Sequence, residues 1–303
     1  GVFEGTKAAG AISPVGYSVL VGAFMFGIGM QLGGGCGSGT LFTMGQGQAD
    51  MLITLLFFIV GATLASSHLG WWHSLGDVGA ISLIDRFGWL PALLITFGIL
   101  FVLFFIAVTL DKSKNQELKP VLTPVPRNQV INTLLFGKWP LWWAVIGLAI
   151  LNLLVLLVAG HPWSITFALS LWGTKLWSAL GGDVSSWSYW QTAYPSHALN
   201  NSVLLDNTSL LDFGLILGAG LAAALAGRFA PASTLNWKKV LTVIVGGLLL
   251  GYGARLAFGC NIGSLLAGIS SGSVHGWLWL VAGFLGNIVG TRLRVVIGLD
   301  KPY

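Results

Sequence analysis

Charged residues are scarce in this chain. Lysine, arginine, aspartate and glutamate make up 8% of its 303 residues, whereas apolar residues make up 55%. Soluble globular proteins carry about 25% charged residues, and the mean hydropathy here is +0.82. This scarcity excludes an ordinary soluble protein and predicts an integral membrane protein that contacts the lipid bilayer. The few basic residues are thinly spread, so the net charge of +5 does not indicate a nucleic-acid partner.

Cysteine is nearly absent, because the chain contains only Cys36 and Cys260. Two distant cysteines form no disulfide framework, and no Cys-x-x-Cys pair is present to suggest zinc or a thioredoxin-like site. The five histidines are scattered over loops and span ends, so we expect no metal site, and we expect no cofactor. The start of the chain also has no signal-peptide pattern.

Both cysteines lie in glycine-rich breaks between apolar segments, at 33–40 and 258–264, with an offset of 260 − 36 = 224. At this offset the following pairs coincide: Gly22 and Gly246, Gly27 and Gly251, Gly29 and Gly253, Leu32 and Leu256, Gly35 and Gly259, Thr40 and Ser264, Gly39 and Gly263, Leu41 and Leu265. Chance rarely keeps so many glycines in register, so the pattern predicts an internal duplication. We assign Gly22, Gly27, Gly246 and Gly251 to helix packing.

Apolar runs predict membrane spans at 14–33, 51–65, 89–110, 139–159, 212–227, 240–258 and 274–290. Short pieces at 38–45 and 261–269 follow the two cysteines. We expect a short in-plane or partly inserted helix near 163–180, and external loops at 66–88 and over the rest of 160–210. The basic loop 111–138 is assigned to the cytoplasm by the positive-inside rule.

This reading gives one transmembrane domain, 1–303, with halves 1–110 and 139–303 joined by the cytoplasmic loop. The first glycine-rich copy is flanked by external segments and the second by basic ones, so the copies enter from opposite faces. The predicted fold is an all-α polytopic helical bundle with two inverted repeats. Each repeat carries a re-entrant or discontinuous helix with a central cysteine.

The short pieces begin at Gly37 and Asn261, so their unpaired amides favour an anion in the passage between them. A thiol is a soft, weak donor that suits a sulfur-bearing ligand. Arg255 is a charge in a hydrophobic segment, read either as an anion attractor at the inner mouth or as a snorkelling side chain. The candidate substrate-binding residues are Cys36, Cys260, Gly35, Gly37, Ser38, Gly259, Asn261 and Arg255.

The segments Gly-Ile-Gly-Met-Gln-Leu-Gly-Gly-Gly-Cys-Gly-Ser-Gly-Thr at 27–40 and Gly-Tyr-Gly-Ala-Arg-Leu-Ala-Phe-Gly-Cys-Asn-Ile-Gly at 251–263 resemble the paired signatures of the YeeE/YedE family of sulfur-compound transporters. The resemblance is weak over 111–210. It implies a multi-pass protein of the bacterial inner membrane that takes up thiosulfate past membrane-embedded cysteines. It also implies a TusA-like sulfurtransferase as cytosolic partner. Only Cys36, Cys260 and their adjacent glycines carry the family's roles onto this chain.

The chain departs from that family in one respect. Family members usually have a further cysteine in an N-terminal segment before the first signature, and this chain has none there. Residues 1–13 are similar to the loop that would follow that segment. Either about two helices precede Gly1 in the native protein, or this member works with two thiols.

Two alternatives stay open at the level of sequence. The first is a thiol–disulfide oxidoreductase in which Cys36 and Cys260 form a reversible bridge and carry reducing equivalents across the membrane. Against it, neither cysteine has an evident resolving partner. The second is a pore for neutral solutes, which explains the glycines but not the thiols. We favour the transporter, which is not an enzyme, and, because no acidic relay is evident inside a span, we expect facilitated flow drawn by cytosolic consumption.

Overall fold

The computed structural model describes residues 8–115, 125–137, 139–229 and 236–300. Helices dominate these ranges, which is how a backbone satisfies its hydrogen bonds in lipid. Among the described residues, seven helical segments are long and apolar enough to cross a membrane: Tyr17–Gly45, Ala49–Ser74, Trp89–Ser113, Leu141–Ala159, Asn207–Leu225, Trp237–Ser270 and Val274–Ile297. The chain is therefore a polytopic helical membrane protein.

The helices are α1 (Tyr17–Gly33), α2 (Gly37–Gly45), α3 (Ala49–Ser74), α4 (Leu83–Phe87), α5 (Trp89–Asn115), α6 (Val130–Leu135), α7 (Leu141–Ala159), α8 (Thr166–Ala179), α9 (Ala193–Asn200), α10 (Asn207–Leu225), α11 (Trp237–Leu256), α12 (Ala267–Ser270) and α13 (Val274–Ile297). A π-helical turn, Asn261–Leu266, leads into α12. Short 3₁₀ turns lie at Arg127–Gln129, Ser188–Gln191 and Val203–Leu205. Strands β1 (Pro14–Gly16) and β2 (Asp77–Ala80) pair antiparallel and are an exception to the predicted all-α fold.

The short helix after each cysteine and the helix predicted near 163–180 are both present, the latter as α8. The predicted loop 66–88 is wrong over most of its length, because α3 continues to Ser74 and β2 and α4 follow. The extension of α3 is held by packing, since Leu69 is buried and both His68 and Trp72 hydrogen-bond the hydroxyl of Tyr252. The predicted loop 111–138 contains the end of α5 and all of α6, and its residues 116–124 and 138 lie outside the described residues.

The core is built from α1, α3, α11 and α13, which pack along one another. Where α1 crosses α11, backbones touch: a Cβ added to Gly22 would lie 2.7 Å from the carbonyl oxygen of Gly253. A Cβ on Gly29 would lie 3.0 Å from the carbonyl oxygen of Gly246. The offset exchanges these two pairs, since 22 + 224 = 246 and 253 − 224 = 29. Small residues at a helix crossing allow this approach in a membrane.

The offset of 224 also relates the contact between α1 and α13 to the contact between α3 and α11. A Cβ on Gly27 would meet the backbone of Gly283 and Gly286, and a Cβ on Gly251 would meet the backbone of Phe58 and Ala62. Since 27 + 224 = 251 and 286 − 224 = 62, the two crossings are equivalent to within one residue. The duplicated sequence therefore makes duplicated helix contacts.

The two ends of the bundle differ in charge. At the basic end, Lys239 pairs with Asp50 at 2.6 Å and Arg294 donates to the carbonyl oxygen of Gln31 at 2.7 Å. The other end, the sheet end, carries β1, β2 and a bridge between Ser82 and Ser273. The positive-inside rule assigns the basic end to the cytoplasm.

The turns after the two short helices lie at opposite ends. Following α2, a Cβ on Gly47 would lie 3.0 Å from the ring of Phe229, near the ion pair of the basic end. Following α12, the carbonyl oxygen of Gly272 accepts from the amide of Leu83 at the sheet end. By contrast, α5 and α7 lie at the periphery, with no residue of their most apolar stretches buried in the protein. Their exposed apolar side chains suit contact with lipid.

Candidate functional site

Cys36 caps the N-terminus of α2. Its sulfur accepts a hydrogen bond from the amide of Gly39 at 3.4 Å and lies 3.3 Å from the hydroxyl of Ser38. Its backbone is extended, with φ −83° and ψ −175°. The first amides of a helix have no partner inside the helix, and their partial positive charge favours an anion. The Cys36 thiol thus lies at an end of a helix that can attract negative charge.

Cys260 has the same place in the second copy, as the residue before the π-helical turn. Its φ of −95° and ψ of −165° reproduce those of Cys36, and its side chain is fully buried. Thr40 and Ser264, which the offset pairs, are both fully buried. The Thr40 hydroxyl donates to the carbonyl oxygen of Cys36, and the Ser264 hydroxyl to that of Ala257. Duplicated sequence therefore gives nearly the same local backbone at both thiols.

The breaks before the cysteines need unusual backbone angles. Gly34 has φ +82°, and its equivalent, Phe258, has φ +59°, the only positive φ of a non-glycine among the described residues. Gly259 has φ +153°, and a Cβ there would lie 2.8 Å from the amide nitrogen of Ser264. The ring of Phe258 stacks on His73, with centroids 5.8 Å apart. Phe258 was not predicted as a site residue, because its only signal in the sequence is its alignment with Gly34.

The two cysteine sites meet at Gly37. A Cβ added to Gly37 would lie 3.4 Å from the Cβ of Cys260 and 3.6 Å from its sulfur. The first residue of α2 therefore contacts the buried thiol of the other copy. Gly35 lies against the start of α2, because a Cβ added to Gly35 would lie 3.5 Å from the amide nitrogen of Thr40. Both cysteines are free thiols.

Cys36 also lines an open cavity of about 770 Å³ together with residues of the first two turns of α2, among them Ser38. The facing walls are apolar residues of α7 and the side chains of Trp139, Trp163, Leu215 and Ile262. The indole nitrogen of Trp163 is buried and has no hydrogen-bond partner among the described residues. The same holds for Oδ1 of Asn261, directly after Cys260. A polar group left without a partner in a buried place is costly, so these two groups are available to a ligand or water.

From the sequence we expected Arg255 near the cytoplasmic side, either at an inner mouth or as a snorkelling side chain, but it lies toward the sheet end of the bundle. Its guanidinium stacks over the ring of Tyr189, 3.5 Å from the centroid, and its charge acts on His73. The helix α11 starts at the basic end and rises about 1.5 Å per residue, so its last turn reaches the sheet end. In the predicted orientation that is the external side. The guanidinium Nε is buried with no hydrogen-bond partner in the described chain.

Asp212 is a second residue that the sequence analysis missed. It lies inside α10, is fully buried, and has no hydrogen-bond partner for either carboxylate oxygen within the described ranges. It interacts electrostatically with Cys260. From the sequence we expected no acidic relay inside a span, and Asp212 is a single buried acid inside one. The predicted span began at Asp212, whereas the helix begins at Asn207 and so contains the Asp212 carboxyl.

The described residues hold no group of three or more His, Cys, Asp or Glu placed to bind a metal.

Comparison with known proteins gives a family match over residues 2–289, to the family described as "Sulphur transport". The thiosulfate transporter TsuA of Spirochaeta thermophila is 30% identical over 290 residues, which cover 88% of this chain and 74% of that protein. The thiosulfate transporter TsuA of Escherichia coli is 26% identical over 287 residues, covering 93% of this chain and 75% of that protein. The probable transporter YedE of Escherichia coli is 28% identical over 153 residues, half of this chain and 37% of its own length.

Proposed function

This chain belongs to the sulphur transport family, and from that premise we propose that it takes up thiosulfate, or a closely related sulfur-containing anion, across the bacterial inner membrane. Two relatives aligned over most of the chain are thiosulfate transporters by name. The family transports and does not catalyse, so the protein is not an enzyme. The proposed path is a central passage past the thiols of Cys36 and Cys260.

The contact between Gly37 and Cys260 is the observation that carries this proposal. It brings together two helix N-termini, each preceded by a thiol. Helix N-termini favour anions by roughly 0.3–1 kcal/mol when exposed and up to about 2 kcal/mol when partly buried. A thiol is polarisable and donates a weak hydrogen bond. The pair therefore favours a small anion with an exposed sulfur atom over sulfate, whose surface is oxygen alone.

The duplicated contacts support two repeats of opposite orientation. The pairs Gly22–Gly253 and Gly29–Gly246 exchange under the offset, as a two-fold axis between α1 and α11 would require. The chain after α2 reaches the basic end and the chain after α12 reaches the sheet end. We therefore read the segments 34–45 and 257–270 as re-entrant pieces that enter from opposite faces and meet near the midplane. Transporters built on inverted repeats put their substrate site in this position.

The remaining candidate residues have distinct proposed roles. Gly35, Gly37 and Gly259 let the ligand approach the backbone, while Ser38 and Asn261 offer polar atoms beside the thiols. Arg255 attracts the anion at the outer mouth, because its stacking on Tyr189 leaves Nε without an acceptor. At the basic end, exposed Lys238 and Arg228 suit an acidic docking surface on a cytosolic TusA-like sulfurtransferase.

Uptake of labelled thiosulfate into proteoliposomes tests the proposal, with unlabelled sulfate as competitor. We expect thiosulfate-selective uptake by the parent protein, and a loss of at least tenfold, equivalent to about 1.4 kcal/mol, in Cys36→Ala and in Cys260→Ala. Ser170→Ala is the matched control, because Ser170 is fully buried like Cys260 but lies in α8 and donates to the carbonyl oxygen of Thr166. It should transport normally.

The same preparation separates the redox alternative. If uptake is absent or indifferent to both cysteines, while Cys36 and Cys260 oxidise to a disulfide that a thioredoxin-type donor reduces, the transport proposal fails. Equal uptake of sulfate and thiosulfate would contradict the thiols' role as the selective element.

A further inference from the structure

We propose that Asp212 is a proton-binding site that couples movement of the anion past Cys260 to movement of a proton in the same direction. This inference rests on the proposed function and deepens it by naming a driving force. From the sequence we expected facilitated flow because no acidic relay was evident inside a span. The fully buried carboxyl inside α10 is a group that could bind the proton.

The geometry of Asp212 differs from that of a structural carboxylate. A buried acid that only stabilises a fold is normally hydrogen-bonded or paired with a cation. Asp50 is such a case, because it is nearly buried and paired with Lys239. Both oxygens of Asp212 are buried and have no hydrogen-bond partner in the described parts of the chain. An ionised carboxylate is expensive in this setting and a neutral carboxylic acid much less so.

The charge around Asp212 points the same way. Asp206, at the N-cap of α10, is buried and accepts hydrogen bonds from the amide and hydroxyl of Ser209 and from the hydroxyl of Tyr194. Burial first, and the hydrogen bond to Asp206 second, raise the pKa of Tyr194, so its hydroxyl stays a donor. These donors satisfy the carboxylate of Asp206, whereas Asp212 has no such donor among the described residues. Two neighbouring carboxylates in a buried place disfavour ionisation of both.

Among the described residues, the elements packed against α10 supply no hydrogen-bonding cation to Asp212. They include α2, α8 and the turn Val203–Leu205, and α7, which has no charged residue, lines a cavity with α10. The one lysine of α8, Lys175, donates to the carbonyl oxygens of Leu199 and Asn201 at 2.6 Å each. The titratable group of α2 is the Cys36 thiol, and the turn has none. Cys260 is the further titratable group that interacts with Asp212.

Coupling follows from repulsion between charges of the same sign. An anion at Cys260 and an ionised Asp212 disfavour each other, so anion binding and proton binding to Asp212 favour each other. Asp212 takes a proton from the external side, and the neutral acid admits the anion. Release of the anion to the cytosol leaves the proton free to follow. One proton moves with each anion, so the cycle carries one negative charge fewer than uptake of the anion alone.

Proteoliposomes loaded with a pH-sensitive dye test this inference on the full chain. For the parent protein, external thiosulfate should acidify the lumen, and an acidic exterior should speed thiosulfate uptake several-fold. Asp212→Asn keeps the shape of the side chain but cannot bind the proton. It should still take up thiosulfate down its concentration gradient, without lumenal acidification and without the pH effect. Asp212→Glu should retain both responses.

Asp183→Asn is the charge-matched control, since Asp183 lies in the loop after α8, and it should behave as the parent does. Three results would overturn the inference. Acidification that persists in Asp212→Asn, or loss of all uptake in a well-folded Asp212→Asn protein, would show that Asp212 does not couple the two fluxes. Cysteine-dependent uptake by the parent with no proton movement would remove coupling but leave the proposed function standing. If the parent takes up no thiosulfate, both the inference and the proposed function are contradicted.

Discussion

Gly37 joins the two copies at the level of single residues. A side-chain methyl at this position would reach ordinary van der Waals distance of Cys260 and of Phe58, at 3.4 Å and 3.5 Å, so the chain can fold with it. The methyl would nevertheless fill the space between the first turn of α2 and the buried thiol. Packing therefore tolerates a methyl group at Gly37, whereas the proposed passage of the anion requires that the space stay empty.

We expect Gly37→Ala to lower the rate of thiosulfate uptake by about tenfold, which corresponds to ~1.4 kcal/mol in activation free energy. The free energy of unfolding should change by less than about 0.5 kcal/mol. Gly98→Ala is the control, because nothing lies within 4 Å of a Cβ at Gly98. Transport and stability should both be normal in that variant. Normal uptake by Gly37→Ala would show that the anion does not pass between these two residues.

The glycines beside the cysteines were predictable because they repeat in the sequence at a fixed offset. The role of Phe258 was not predictable, because a left-handed backbone at a phenylalanine costs roughly 1–2 kcal/mol and contacts elsewhere in the fold must offset this cost. Its stacking on His73 joins the end of α3 to the second break, across 258 − 73 = 185 positions of sequence. Asp212 was missed for a similar reason, since its burial by neighbouring elements is not visible in a hydropathy profile.

Helix crossings in this protein are set by glycine. At the crossing of α1 and α11, a Cβ on Gly246 would fall on the backbone of Leu32 and Gly33, and backbone cannot move aside as a flexible side chain can. Because lipid provides little hydrophobic drive for helices to associate, close backbone packing carries much of the stability. The two helices would have to separate to accept even one methyl group.

Gly246→Ala should therefore lower the free energy of unfolding by about 1–3 kcal/mol, measured as thermal stability in detergent. Gly218→Ala in α10 is the matched control: it is exposed, and nothing lies within 4 Å of its added Cβ. It should be neutral or slightly stabilising, because alanine favours a helix over glycine by about 1 kcal/mol. Equal stability in the two variants would contradict a glycine-dependent crossing.

The helical elements themselves were largely predictable, and their ends less so. Apolar runs located the spans because a helix must cover the hydrocarbon thickness. The last turns of α3 are polar and aromatic, so hydropathy ended that helix too early, whereas Tyr252 on the neighbouring helix holds them in place. The β1–β2 sheet joins segments more than 60 residues apart and leaves no local pattern.

The orientation of the whole molecule decides which way the proposed passage runs. The basic end carries Lys239 and Arg294, and the sheet end carries Arg255. With the basic end in the cytoplasm, an anion would meet Arg255 first, then the thiols, and leave toward a positively charged surface. With the opposite orientation Arg255 would lie at the inner mouth, and its proposed role in collecting the anion would be lost.

Thiol labelling in intact cells resolves this orientation. Val78→Cys in β2 and Arg228→Cys after α10 put single thiols at exposed positions of the two ends, in a chain that also carries Cys36→Ser and Cys260→Ser. A membrane-impermeant maleimide should label Val78→Cys in intact cells and Arg228→Cys only after permeabilisation, because the positive-inside rule holds the basic end in the cytoplasm. The doubly substituted chain without a new thiol is the control and should stay unlabelled. The reverse pattern would show that the bundle has the opposite orientation in the membrane. It would then contradict the assignment of Arg255 to the outer mouth and of the basic end to a cytosolic partner.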